Sequence, residues 1–215
     1  MQKVKQKFVD LNAYYTSFMG KWGWCTDEKA LMIIDCIDEI QQKKEFPICV
    51  EIGIYTGQSC LPVLLALKEI NRGIMYCVDP WENGEASKGY ENTGELGGNH
   101  YTFWNKVNFE RVEKIWNRMI DENGLRNYAH MIRMTSDDID PIQNIDYLHI
   151  DGQHTEQAIR DVDKFASCVN INGYCIVDDI TWDSTMATVP DKMKEYGFEA
   201  IAPIGDGLLM KRLTK

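Results

Sequence analysis

Long apolar runs, cationic clusters and paired cysteines are all missing from this 215-residue sequence. No stretch approaches the ~18 consecutive apolar residues that a membrane-spanning helix needs, so no membrane contact of that kind is expected. Lys and Arg number 23 against 33 Asp and Glu, a net charge of −10. Phosphate backbones are bound by clustered Lys and Arg, so no nucleic-acid partner is expected, and no polybasic membrane contact either. The opening Met1-Gln-Lys-Val-Lys-Gln-Lys is basic, but no apolar segment follows it, so no signal peptide is expected. Seven cysteines contain no C-x-x-C pair, and Cys36, Cys49, Cys60, Cys77, Cys168 and Cys175 sit inside apolar stretches. Spacing therefore gives no zinc site, and the expectation is buried, reduced thiols in a cytoplasmic protein.

What is there reads as alternating strands and helices. Residues 1–25 carry Phe8, Tyr14, Tyr15, Phe18, Trp22 and Trp24 and are read as an irregular, aromatic-rich segment: a lid, an acceptor wall or an oligomer contact. Thr26 is a candidate N-cap, with Asp27 and Glu28 in the first turn and Ala30, Ile33, Ile34, Ile37 and Ile40 at helical spacing. Apolar runs bounded by Pro or Gly predict strands at 47–53, 74–79, 128–134, 145–150, 174–177, 198–204 and 207–212, the last two joined by a turn at Gly205-Asp206. Helices are expected at 59–70, 101–122, 155–169 and near 184–196. Residues 80–100 lack periodicity and are read as a long functional loop. The pattern implies an α/β fold, doubly wound: a mostly parallel seven-stranded sheet with helices on both faces and a C-terminal antiparallel hairpin. Residues 26–215 form a single domain on this reading.

In such sheets ligands bind beyond the carboxyl ends of the strands. The first strand ends in Glu51-Ile-Gly53-Ile-Tyr-Thr-Gly57-Gln-Ser59, a glycine-containing turn into a helix N-terminus. Its G-x-x-x-G spacing departs from the G-x-G-x-x-G of dinucleotide enzymes, which weighs against an NAD-linked oxidoreductase. Asp79 ends the second strand, where an acid can accept from a ribose diol. Thr135-Ser136-Asp137-Asp138, Asp151-Gly152-Gln153-His154 and Asp178-Asp179 end the next three. One such acid alone would be a solvated strand end or a helix cap; the set is harder to explain that way. Asp151, Asp178 and Asp179 should converge, and clustered carboxylates call for a cation such as Mg²⁺. His154 beside them is placed to act as general base on a metal-bound hydroxyl. His149 is read as a core or sheet-face histidine.

These residues resemble class I S-adenosylmethionine-dependent methyltransferases, and more narrowly macrocin-type sugar O-methyltransferases and cephalosporin-hydroxylase-like enzymes. The resemblance runs through Gly23-Trp-Cys-Thr-Asp-Glu-Lys-Ala30, Val50 to Ser59, Val78-Asp-Pro-Trp81, Leu148 to His154 and Gly173 to Trp182. It implies a Rossmann-like methyltransferase fold with S-adenosylmethionine as cofactor. By the resemblance Glu51, Gly53, Tyr55 and Gly57 line the methionine and ribose part, Ser59 approaches the methionine end, and Asp79 takes the ribose hydroxyls. Ser136 matches a position near the adenine. Asp151, Asp178 and Asp179 match the Mg²⁺ ligands, with Asp151 also at the cofactor, and His154 and Asp151 are the catalytic pair. Several relatives carry Glu then Asp where this chain has Asp178-Asp179. The implied reaction is methyl transfer to a hydroxyl of a polar small molecule, a sugar or glycosylated metabolite. A catechol or phenol acceptor, or a catalytically silent cofactor-binding protein, stays open, as does a homo-oligomer.

Overall fold

The computed structural model describes residues 1–90, 94–182 and 185–214, with residues 94–98 described by backbone alone. Seven strands, β1 (Ile48–Ile52), β2 (Ile74–Val78), β3 (Ala129–Ile132), β4 (Ile145–Ile150), β5 (Val169–Val177), β6 (Phe198–Ile204) and β7 (Gly207–Arg212), form one sheet in the order β3-β2-β1-β4-β5-β7-β6. The first five run parallel, and β7 lies antiparallel between β5 and β6. The expected doubly wound sheet and its closing hairpin are therefore both present.

The strands read as apolar runs because both faces are covered. Cys49, Tyr147 and Ile176 face one core, with α1 (Gln2–Met19), α2 (Asp27–Gln41), α3 (Cys60–Ile70) and α6 (Phe109–Glu122). Val50, Leu148, Cys175 and Val177 face the other, with α7 (Glu156–Phe165) and α8 (Val189–Glu195). Between β2 and α6 lie two further helices, α4 (Asn83–Ser87) and α5 (Gly94–Trp104). All seven cysteines are buried and free. Among the described residues no helix is long and apolar enough to cross a membrane.

Several local expectations are corrected. Residues 2–19 are helical rather than irregular: Val4, Phe8 and Tyr15 recur at helical spacing and are buried, so α1 is held by its apolar stripe. The 80–100 stretch is not structureless, since α4 and α5 occupy most of it; residues 91–93 lie outside the described residues. The single helix expected at 101–122 is two, because Asn108 breaks it and caps α6, its side chain accepting from Arg111 N at 2.9 Å. Strand β5 starts earlier than expected, at Val169. The last helix is shorter, 189–195 after a 3-10 turn at Met186–Thr188, and residue 184 lies outside the described residues. Thr26 caps α2 as expected, accepting from Lys29 N at 3.2 Å.

The ladder continues one residue past each central strand. Gly53 N donates to Val78 O, Asp151 N to Ile52 O, Asp178 N to Ile150 O and Asp79 N to Ile132 O, all at 2.9–3.1 Å. Register alone thus puts the tips of β1, β2, β4 and β5 side by side. Helix α1 belongs to the same folding unit. Phe8 is fully buried, so Phe8→Ala is expected to cost about 3–5 kcal/mol in denaturant unfolding; a loss below about 1 kcal/mol would make α1 an appendage.

Candidate active site

The aligned tips floor one cavity of about 780 Å³. Gly53, Tyr55, Ser59, Asp79, Ser136, Asp151, His154, Asp178 and Asp179 all border it, so most residues singled out in the sequence meet in one place. Two do not reach the wall. Glu51 is fully buried below the floor, where it accepts from Ser59 Oγ and lies 3.4 Å from His149 Nδ1. Gly57 stands behind the wall with φ +86°, where a Cβ would collide with the Trp116 ring. Its glycine serves the turn and the packing of α6. Gly53 has the same φ, and a Cβ there would run into the Asp151 carbonyl, so glycine lets the β1 and β4 tips touch.

Backbone strain is concentrated here. Six non-glycine residues among those described have positive φ. Four are Asn71, Asn144, Asn172 and Asp179, residue types that tolerate this region. The other two, Tyr55 and Trp81, are bulky aromatics, and these two and Asp179 each follow the tip of a site strand. Such strain persists where surrounding contacts over-determine it, commonly at functional sites. Asp79 supplies part of that constraint: its Oδ2 accepts from Ile54 N (2.8 Å) and Tyr55 N (2.9 Å), and its Oδ1 from Trp81 N (2.8 Å). Burial nevertheless raises its carboxyl above the usual range, against those three bonds.

The walls are aromatic. Trp24 packs on Tyr55 and Phe103 with ring centroids 5.1 and 5.9 Å apart, and Trp104 lies 5.8 Å from Tyr55. At the other end Trp182 packs on His100 at 4.2 Å and on His154 at 5.1 Å. The two tryptophans of the first segment part company: Trp24 is exposed on the cavity rim, while Trp22 is buried and donates to Asn12 Oδ1 at 2.9 Å.

Residues 50–180 match the profile of a methyltransferase-domain family. The chain belongs to this methyltransferase family. Among solved structures, the methyltransferase resembles the O-methyltransferase NovP at 18% identity, over 87% of this chain and 81% of that one, with a TM-score of 0.67. It resembles TomG from Streptomyces achromogenes, solved in complex with S-adenosylmethionine, at 12% identity over 99% and 90%, TM-score 0.58. An rRNA methylase from Streptococcus thermophilus also matches, at 11% identity over 85% and 95%, TM-score 0.54. No curated protein sequence matches significantly. By fold and family the chain is a class I S-adenosylmethionine-dependent methyltransferase, and the spread of these names leaves the acceptor to be argued from the site.

The acids of the methyltransferase do not converge as three equals. Asp151, Asp179 and His154 bring one ligand atom each to within 4.8 Å of one another. Asp178 instead turns inward: its Oδ2 accepts from the buried Lys29 Nζ and lies 3.3 Å from His149 Nε2, leaving Oδ1 without a partner. Burial acts to raise the Asp178 carboxyl, but His149 and Lys29 outweigh it and hold it well below the usual range. Burial and the neighbouring Asp178 push Asp151 well above that range. His149 is a core histidine, as read, yet also a bridge. Burial alone would lower its imidazole, and Glu51 and Asp178 on either side raise it to about 9.

His154 Nε2 lies 2.7 Å from Asp179 Oδ2, and its Nδ1 is buried with no partner. Asp179 is held below the usual range: burial raises it, the His154 bond lowers it more.

Sequence reasoning missed Lys29 and Asp161. Lys29 lies on the apolar face of α2 and is 4% exposed, and no local pattern announces its partner on β5. Asp161 had a readable signal, being an acid on the inward stripe Ala158, Val162, Phe165 of α7, and it is 1% exposed. Its Oδ1 accepts from Ser136 Oγ (2.6 Å) and Gln157 Nε2 (3.0 Å), and burial raises its carboxyl to about 6.

Removing one partner of a buried pair strands the other. Lys29→Met is therefore expected to lower unfolding stability by about 3–5 kcal/mol; a change under 1 kcal/mol would contradict the pairing. His149, raised from about 6.5 to about 9, contributes stability that is whole below pH 6.5 and lost as pH climbs through 9. The stability gap between wild type and His149→Gln, measured by urea unfolding, is expected to shrink by up to about 3 kcal/mol over that window; a constant gap would show that the imidazole is not charged.

Proposed function

We propose that the protein is an O-methyltransferase that transfers the methyl group of S-adenosylmethionine to a hydroxyl of a polar small molecule, a sugar or glycosylated metabolite, with Mg²⁺ assistance. One observation carries this reading. His154 borders the cavity, its Nε2 lies 2.7 Å from Asp179 Oδ2, and its Nδ1 is left without a partner. A carboxylate that holds one ring nitrogen fixes the tautomer and leaves the other free to take a proton, the orientation logic of a base in acyl-transfer triads.

The cofactor fits the cavity, whose volume falls within the roughly 300–1,000 Å³ of small-molecule sites. Gly53, Tyr55 and Ser59 would hold its methionine, Asp79 its ribose and Ser136 its base, with Asp151 near the methyl end. Glu51 acts through Ser59, and Gly57 through the shape of the turn. A divalent cation fits the donor set too: Asp151 and Asp179, whose oxygens lie within 4.8 Å of each other and of a His154 ring nitrogen, would hold it, while Asp178 turns away from them toward Lys29 and Gly207. When bound, the cofactor supplies an electrophilic sulfonium methyl, and the cation lowers the pKa of the acceptor hydroxyl.

The chain's own residues do the rest. His154 Nδ1 takes the hydroxyl proton. Trp182, His100 and Tyr90 enclose the oxygen side, and Trp24, Tyr55 and Trp104 the cofactor side, so that water is kept from the reacting line. Lys29 and His149 offset two of the buried carboxylates, so that the acids can stand together. An acceptor with two adjacent oxygens suits the acids, and a catechol would satisfy them as well.

His154→Ala is expected to lower kcat about 10²-fold or more while S-adenosylhomocysteine affinity, read by calorimetry, stays within about twofold. Unchanged turnover would remove His154 as base. Chelation with EDTA is expected to abolish most turnover, restored by Mg²⁺; full activity in EDTA would remove the cation from the mechanism.

A further inference from the structure

Helix α1 is fastened to the turn after β1 through one side chain. Asn12 of α1 does not border the cavity, yet its amide meets three other parts of the chain. Its Oδ1 accepts from Trp22 Nε1 at 2.9 Å and from Gln58 Nε2 at 2.8 Å, and its Nδ2 donates to Asp27 Oδ1 at 2.7 Å. Gln58 stands in the turn that enters α3, borders the cavity and is 8% exposed. Its own Oε1 accepts from Cys25 N at 3.0 Å. Thr56 of the same turn donates its hydroxyl to the Trp22 carbonyl. The segment from Trp22 to Cys25 is thus bonded to the turn at both ends. At Gly23 it runs so close that a Cβ would overlap the Gln58 side chain. Neither amide can flip. The indole N–H of Trp22 and the backbone N–H of Cys25 only donate, so each must meet an amide oxygen.

The turn needs such support. It holds Tyr55 at φ 48° and Gly57 at φ 86°, and strained backbone persists only where surrounding contacts over-determine it. Asp79 supplies contacts at Ile54 and Tyr55. At Thr56 and Gln58 they come from Trp22, Cys25 and Asn12. The same segment sets Trp24 against the Tyr55 ring, 5.1 Å between centroids. We infer that Asn12 is a positioning residue for the cofactor: by fixing Gln58 and Trp22 it keeps the turn after β1 in the shape that receives the methionine part of S-adenosylmethionine. This inference rests on the cofactor placement proposed above. A turn held ready loses less freedom on binding, so release of the tie weakens affinity even in a chain that stays folded.

Calorimetric titration of S-adenosylhomocysteine into wild type and variants tests it, with urea unfolding of each to establish that it is folded in the assay. Asn12→Leu removes all three bonds and is expected to weaken binding about 10-fold, the scale of one or two net hydrogen bonds. Val4→Ala takes buried contacts from the start of α1 and leaves the tie alone. It is expected to lower the urea midpoint and keep affinity within about twofold. Asn12→Asp sets a carboxylate against Asp27 and is expected to weaken binding. Adding Asp27→Asn exchanges donor and acceptor between the two positions, and is expected to restore affinity to within about twofold of wild type. Unchanged affinity in folded Asn12→Leu would overturn the inference, and equal weakening by Val4→Ala would make α1 a structural support only. Should Asn12→Leu not fold, the Asp pair decides: no weakening in Asn12→Asp, or none that Asp27→Asn repairs, would overturn the inference. Failure of wild type to bind S-adenosylhomocysteine would overturn the cofactor placement itself, and the inference with it.

Discussion

The pair formed by Lys29 and Asp178 is the constraint on which the site depends. Lys29 is on α2, Asp178 at the tip of β5, and both are almost fully buried. Two ions held out of water need each other and further hydrogen bonds to be tolerated. His149 supplies the next link, lying between Asp178 and Glu51, and Glu51 accepts from Ser59 at the start of α3. A row of charges thus runs under the cavity floor from α2 through β5, β4 and β1 to the turn that enters α3. It fixes how the buried carboxylates of Asp178 and Glu51 are turned beneath the floor.

That row also explains why several acids can crowd one sheet edge. Left alone, the carboxylates at the tips of β1, β4 and β5 would repel one another or take up protons. With Lys29 and His149 below, the floor is compensated, and Asp151 and Asp179 remain at the cavity for chemistry. The strained backbone at Tyr55 and Trp81 belongs to the same arrangement: each follows a tip that the ladder and the Asp79 carboxylate hold in place.

Much of the fold was legible because the strands are buried on both faces and read as uninterrupted apolar runs such as Pro47 to Ile52 and Ile145 to Ile150. The strand tips were legible for the same reason, since each run ends where polar residues begin. Helix α1 was readable but was obscured by its polar remainder; Val4, Phe8 and Tyr15 carry the signal. The break between α5 and α6 was harder, because Trp104 and Val107 continue the apolar count through the gap. Least legible were pairings between distant charges. Lys29 looks like one more polar residue in a helix until β5 is placed beside it, so Asp178 was read only as a metal ligand. Glu51 and Gly57 were read as cofactor contacts from their place in the turn, yet the pleat sends Glu51 into the sheet and the ring of Trp116 covers Gly57.

The central claim is that the tips of β1, β2, β4 and β5 together form the seat of S-adenosylmethionine. A crystal structure of the protein grown with S-adenosylhomocysteine tests this most directly. Density for the ligand should run from Ser59 across Gly53, with the ribose hydroxyls on Asp79 and the base against Ser136. Density for the ligand anywhere else on the molecule, or a ribose that leaves Asp79 bonded only to Ile54, Tyr55 and Trp81, would contradict the account.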